Sequence, residues 1–90
     1  MITDPNQLRD LRHGILINLY RVAPRGRSAA ALQRLLNAEV ECTVADVEAQ
    51  LVFLGEKVER QAADALAPGL PPFWKITPTG MAFAEQEHLL

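Results

Sequence analysis

Leu8, Leu11, Ile15, Leu19 and Val22 recur three and four residues apart, which aligns them on one face of a helix that turns 100° per residue. The spacing predicts a helix that opens at Pro5 or Asn6 and runs to about Ala23, where Pro24-Arg25-Gly26 stops it. The other side of this helix carries a second apolar stripe, Leu16, Ile17 and Tyr20, beside His13. A surface helix needs one apolar face only. The second stripe therefore calls for cover, either from another element of this chain or from a second copy in a homodimer.

Ser28 is a good N-cap for a short helix, Ala29 to about Asn37, with Leu32, Leu35 and Leu36 turned inward. Glu39 to Cys42 reads as a turn. Thr43, with Asp46 three residues later, forms a variant of the capping box for a third helix. That helix buries Val44, Val47, Leu51 and Leu54, and Gly55 ends it by accepting a left-handed backbone. Beyond Gly55 the period changes to two: residues 57–61 alternate with Val58 inward, and residues 73–77 alternate with Trp74 and Ile76 on one face. Between them, residues 62–72 hold three prolines, one glycine and no basic residue, and read as a loop. The two strands pair as an antiparallel hairpin. Thr77 then caps a last helix, with Pro78 at its first position and Met81 and Ala84 facing the core to about His88.

The predicted order is helix, helix, helix, strand, strand, helix: a mainly α, α+β fold in a single domain over residues 1–90. Hydrophobic residues at 49% and charged residues at 22% suit a globular chain with a small core. The apolar run Ile15-Leu16-Ile17 is far short of the roughly 20 residues that span a bilayer, so no membrane association is expected. Met1 to Pro5 lacks the features of a secretory signal, and Cys42 is the only cysteine. A cytoplasmic location is the expectation. Net charge is −2, unevenly spread: residues 1–36 hold six arginines against Asp4 and Asp10, and residues 37–90 hold Lys57, Arg60 and Lys75 against nine carboxylates. A local basic patch can still meet phosphates, but the overall balance does not draw the chain onto nucleic acid.

Ile76-Thr77-Pro78-Thr79-Gly80 resembles the strand-to-helix junction after the wing of winged helix-turn-helix domains of the bacterial and prophage regulator type. The run Leu51 to Arg60 similarly resembles their passage from recognition helix into the first wing strand. The resemblance implies a winged helix of order α-α-α-β-β-α with a two-stranded antiparallel wing. It also implies a transcription regulator that binds duplex DNA, with the third helix in the major groove and the wing on the backbone. By position, it makes Arg25, Arg27, Ser28, Lys57, Arg60 and Lys75 the candidate phosphate contacts, and Gln50 the candidate base contact.

The third helix departs from that pattern. With Val44, Val47, Leu51 and Leu54 inward, its outward residues are Ala45, Asp46, Ala49, Val52, Phe53 and Glu56, while base readout needs Arg, Lys, Asn or Gln. The loop over residues 62–72 is equally poor in cations. The outward stripe Ala45, Ala49, Val52 and Phe53 suits docking or dimerisation on another protein, so a protein-interaction module that does not bind DNA is the alternative expectation. Neither catalysis nor a cofactor is expected: His13 and His88 lie on separate helices, and Ser28 is the sole serine. Residues 41–46 resemble the Cys-X-Cys segment of metal sensors of the same superfamily. The second cysteine is missing, and one thiolate does not make a tetrahedral metal site.

Overall fold

The first helix, α1, spans Pro5–Val22. Its start is local chemistry: the Asp4 carboxylate accepts the Asn6 backbone N–H at 2.8 Å, and Pro5 fills the first position, where no N–H is needed. The computed structural model describes residues 2–61 and 72–89. The expected apolar loop over 62–72 lies outside them except for Pro72.

Leu11, Ile15, Leu16 and Leu19 of α1 are fully buried. Leu16 therefore leaves the second stripe and joins the core, a correction to its expected interface role, because α1 is packed against further helices and a strand of its own chain. Tyr20 is half-buried and its hydroxyl donates to Glu85 Oε1 at 2.7 Å. Leu8 and Val22 are half-buried at the edges of the stripe. Of the two kinds of cover considered, this chain supplies the one over Leu16 and Tyr20.

The second helix, α2 (Ala29–Leu36), is capped by Ser28, whose Oγ accepts the Ala31 N–H at 3.2 Å. It buries Ala29, Leu32 and Leu36; Leu35, expected inward, is 48% exposed. Leu32 and Leu36, one turn apart, set the inward direction, and Leu35 is rotated about 100° from Leu36. The third helix, α3 (Val44–Leu54), opens on a complete capping box in which Thr43 Oγ1 accepts the Asp46 N–H and the Asp46 carboxylate accepts the Thr43 N–H. Val47, Leu51 and Leu54 are buried and Val44 is half-buried. Gly55 caps the helix at φ +55° and leads into a 3₁₀ turn, Gly55–Lys57.

Three strands form one antiparallel sheet. The expected hairpin is present as β2 (Val58–Gln61) and β3 (Phe73–Ile76), with Val58 opposite Ile76, and both of these side chains are buried. An unexpected two-residue strand, β1 (Arg27–Ser28), pairs with the other edge of β3, so the order across the sheet is β1-β3-β2. The last helix, α4 (Pro78–Gln86), buries Ala84 and packs Met81 against the core. The described chain is thus a mainly helical α+β fold with four helices and a small three-stranded sheet. No helix among the described residues is long and apolar enough to cross a membrane. Each fully buried Leu, Ile or Val contributes about 1.5–3 kcal/mol relative to exposure.

The junction at Thr77 ties these parts together. The Thr77 N–H donates to the Lys57 carbonyl at 3.1 Å, and its Oγ1 accepts the Gly80 N–H at 3.1 Å while donating to the Glu56 carbonyl. Gly80 sits so close to this turn that a Cβ would overlap the Lys57 carbonyl oxygen and crowd Ile76 Cγ1. Backbone cannot yield there as a flexible side-chain tip can. Gly80→Ala is expected to lower stability by about 3 kcal/mol in urea titrations followed by circular dichroism. A change below about 1 kcal/mol would show that α4 can move away from the turn at little cost.

Candidate functional site

The surface with most scope for recognition is the outward side of α3. Val52 and Phe53 are 71% and 70% exposed, and Ala45, Glu48 and Ala49 are exposed with them. All project from one helix whose other side is pinned by Val47, Leu51 and Leu54. Apolar side chains exposed as neighbours mark contact surfaces more often than isolated ones do.

Two polar residues of α3 point the other way. Asp46, expected outward, is buried: its carboxylate accepts the N–H groups of Thr43 at 2.9 Å and Ile2 at 3.3 Å. Gln50, the candidate base contact, is also buried, and its Oε1 accepts Arg12 Nη1 at 3.0 Å. This corrects its assignment, since a side chain held against α1 does not present its amide to a base edge. The Arg12 guanidinium also stands 4.6 Å from the centre of the Phe53 ring. Arg12 is absent from the sequence-derived candidates because a basic residue on a polar helix face carries no signal until its neighbours are known.

The six phosphate candidates are not brought together as one free surface. Ser28 Oγ is engaged as the α2 cap and Lys75 pairs with Glu59 across the hairpin at 3.6 Å, whereas Lys57, its Nζ 4.8 Å from the centre of the Phe83 ring, has no carboxylate partner among the described residues. Arg27 is half-buried on β1 opposite Trp74, and its Nε has no hydrogen-bond partner among the described residues. Arg25 and Arg60 are exposed. Arg60 instead lines a groove of about 490 Å³ with Ala30, Val44, Val52 and Trp74, and the carboxylate-bearing Glu48 lines the same groove. Ile17 remains half-exposed in a shallow cleft beside Leu35 and Asn18.

Comparison with known family models, curated proteins and solved structures finds no match. The chemistry of the surface is therefore read from its own residues. The Cys42 thiol is buried, and its pKa is pushed up by desolvation and by the nearby Asp46 carboxylate, so it stays protonated at neutral pH. No group of three His, Cys, Asp or Glu among the described residues could hold a metal ion. The Tyr20 phenol is pushed up by its hydrogen bond to Glu85, with burial and the carboxylate charge adding to it.

Asp46 fixes the start of α3, and with it the direction of the exposed stripe. The N–H of Thr43 holds its pKa below the usual carboxylate value, with the N–H of Ile2 and the Thr43 hydroxyl helping, while burial opposes them. With the folded-state pKa depressed, this stabilisation is complete above the unfolded value of about 4 and is lost as pH falls through the folded value. Asp46→Asn is expected to be less stable than the wild type at neutral pH and to show a shallower loss of stability below about pH 4, measured by urea unfolding across pH. Parallel pH profiles would show that the capping carboxylate carries no differential protonation.

Proposed function

We propose that this chain is a non-catalytic winged-helix protein-interaction module that docks a partner through the outward face of α3. The observation that carries the reading is the pair Val52 and Phe53, both more than two-thirds exposed on a helix whose polar Asp46 and Gln50 are turned inward. The winged-helix part of the reading is supported by the α2–α3 pair, by the hairpin that follows α3, and by the short β1 strand paired at the hairpin's edge. The non-catalytic part is supported by the use of Ser28 as a cap, and by the placement of His13 and His88 on and beyond different helices.

DNA binding is the second reading, and Arg25, exposed just before β1 and α2, is the observation that favours it. Magnitudes set it behind the first. A phosphate brought within about 6 Å of Glu48 at an effective dielectric near 20 is repelled by roughly 3 kcal/mol. A good bidentate base contact contributes about 1–3 kcal/mol of discrimination, and the α3 side that would supply one shows alanines, Glu48, Val52 and Phe53. Contacts from Arg25 and Arg60 alone would give weak, salt-sensitive and sequence-independent binding.

The deciding experiment uses immobilised wild type and variants as bait in an extract of the source cells, beside a low-salt duplex shift assay. A polypeptide captured by the wild type should be lost with Phe53→Asp and retained with Arg25→Ala/Arg27→Ala. Phe53→Asp should change stability by no more than about 1 kcal/mol, since the ring is largely in solvent. Capture indifferent to Phe53→Asp, together with a duplex shift abolished by the double arginine variant, would return the DNA reading to first place.

A further inference from the structure

Beside Phe53 lies a cleft of about 230 Å³ that brings Phe53 and Lys57, candidates for different roles, together with Arg12 and His13, which are candidates for none. Arg12 and His13 of α1, Phe53 of α3, and Lys57 and Phe83 line it, with Leu16 and Leu54 as further apolar lining. Each of the two basic side chains is laid against a ring, Arg12 on Phe53 and Lys57 on Phe83. Neither Arg12 nor Lys57 has a carboxylate within 4.0 Å among the described residues. In a chain of net charge −2 that places most of its carboxylates after residue 36, this is a locally cationic cleft with aromatic walls and no acidic lining residue.

We infer that this cleft receives an acidic segment of the docked partner, one carboxylate at a time, with an apolar side chain beside it packing on Phe53. The inference rests on the docking reading of α3 and names the chemistry of what docks. The guanidinium carries five donors, and among the described residues one of its N–H groups goes to Gln50. The remaining donors, with the Lys57 ammonium, match an isolated carboxylate by charge-assisted hydrogen bonds. The cleft is smaller than the roughly 300–1,000 Å³ of small-molecule sites, so it admits a side chain and not a large ligand. A nucleic-acid strand fits less well, because a run of phosphates needs basic side chains in succession, and the lining offers Arg12 and Lys57 beside His13 with apolar residues around them.

The test uses a short capped peptide in which Asp and Glu flank Phe and Leu, the same peptide with Asn and Gln in their place, and a single-stranded thymidine oligomer. Binding to the full chain is followed by amide chemical shifts. The acidic peptide should saturate, with the largest shifts at Arg12, His13, Phe53 and Phe83. It should bind about tenfold or more tightly than its amide counterpart, lose that advantage with Arg12→Gln/Lys57→Gln, and weaken as salt is raised about tenfold. The salt series on the wild type keeps the test decisive should the double variant fail to fold. Equal binding of the two peptides, tighter binding of the oligomer in the cleft, or self-association abolished by the same double variant would each overturn the inference. Loss of partner capture with Phe53→Asp alongside equal peptide binding would remove the acidic partner and leave the docking face. Capture indifferent to Phe53→Asp would remove the docking reading itself.

Discussion

Thr77 holds the molecule's two halves in one frame. Its N–H, its hydroxyl and the Gly80 N–H that it caps make three hydrogen bonds within four residues, two of them to the carbonyls of Glu56 and Lys57. Those carbonyls belong to the 3₁₀ turn that leaves α3, whereas Thr77 belongs to the passage from β3 to α4. The same clasp therefore sets where α3 ends, where the hairpin begins and where α4 starts. Cap hydrogen bonds are individually worth about 1 kcal/mol. What makes this one decisive is that the bare Cα of Gly80 lets the first turn of α4 close onto the Lys57 carbonyl. The cationic cleft follows from this geometry, since Lys57 is on the clasped turn and Phe83 is one turn beyond Gly80.

The parts of the fold legible in the sequence are those whose chemistry is local. The Thr43–Asp46 capping box, the Thr77-Pro78 start and the Gly55 stop each need partners only a few residues away, and the alternation in each hairpin strand is written in consecutive residues. β1 was hidden for the opposite reason. Arg27–Ser28 is too short to show a period of two, and its partners Trp74 and Phe73 are distant in the chain. Leu16 and Leu35 were misplaced because periodicity gives the spacing of a stripe but not how much of a helix its neighbours wrap. α1 meets three helices and a strand and buries a wide face, while α2 is short and buries a narrow one.

The candidate site was half legible. The outward run Ala45, Ala49, Val52 and Phe53 follows from fixing Val47, Leu51 and Leu54 inward, and the exposures agree. The burial of Asp46 and Gln50 was not legible, because a polar side chain is read as outward unless a distant partner is visible. Those distant partners are the Ile2 N–H for Asp46, added to its capping bond with Thr43, and the Arg12 guanidinium for Gln50. Arg12 links core to surface: one of its groups satisfies a buried amide while its guanidinium carbon stands 4.6 Å from the centre of an exposed ring.

These placements give α3 an inverted polarity whose energetics point outward. Hydrogen bonds satisfying Asp46 and Gln50 return about 0.5–1.5 kcal/mol each, more where a charge is involved, so burying them is close to neutral. Leaving Val52 and Phe53 in water forgoes about 1.5–3 kcal/mol each. Rotation of the helix would not recover that, because Val47, Leu51 and Leu54 would have to leave the core together and the capping box would break. The isolated chain is thus held in a state with apolar surface still uncovered. A partner that covers Val52 and Phe53 gains that burial without disturbing any contact that holds the fold, whereas a phosphate backbone laid on the same face gains none of it.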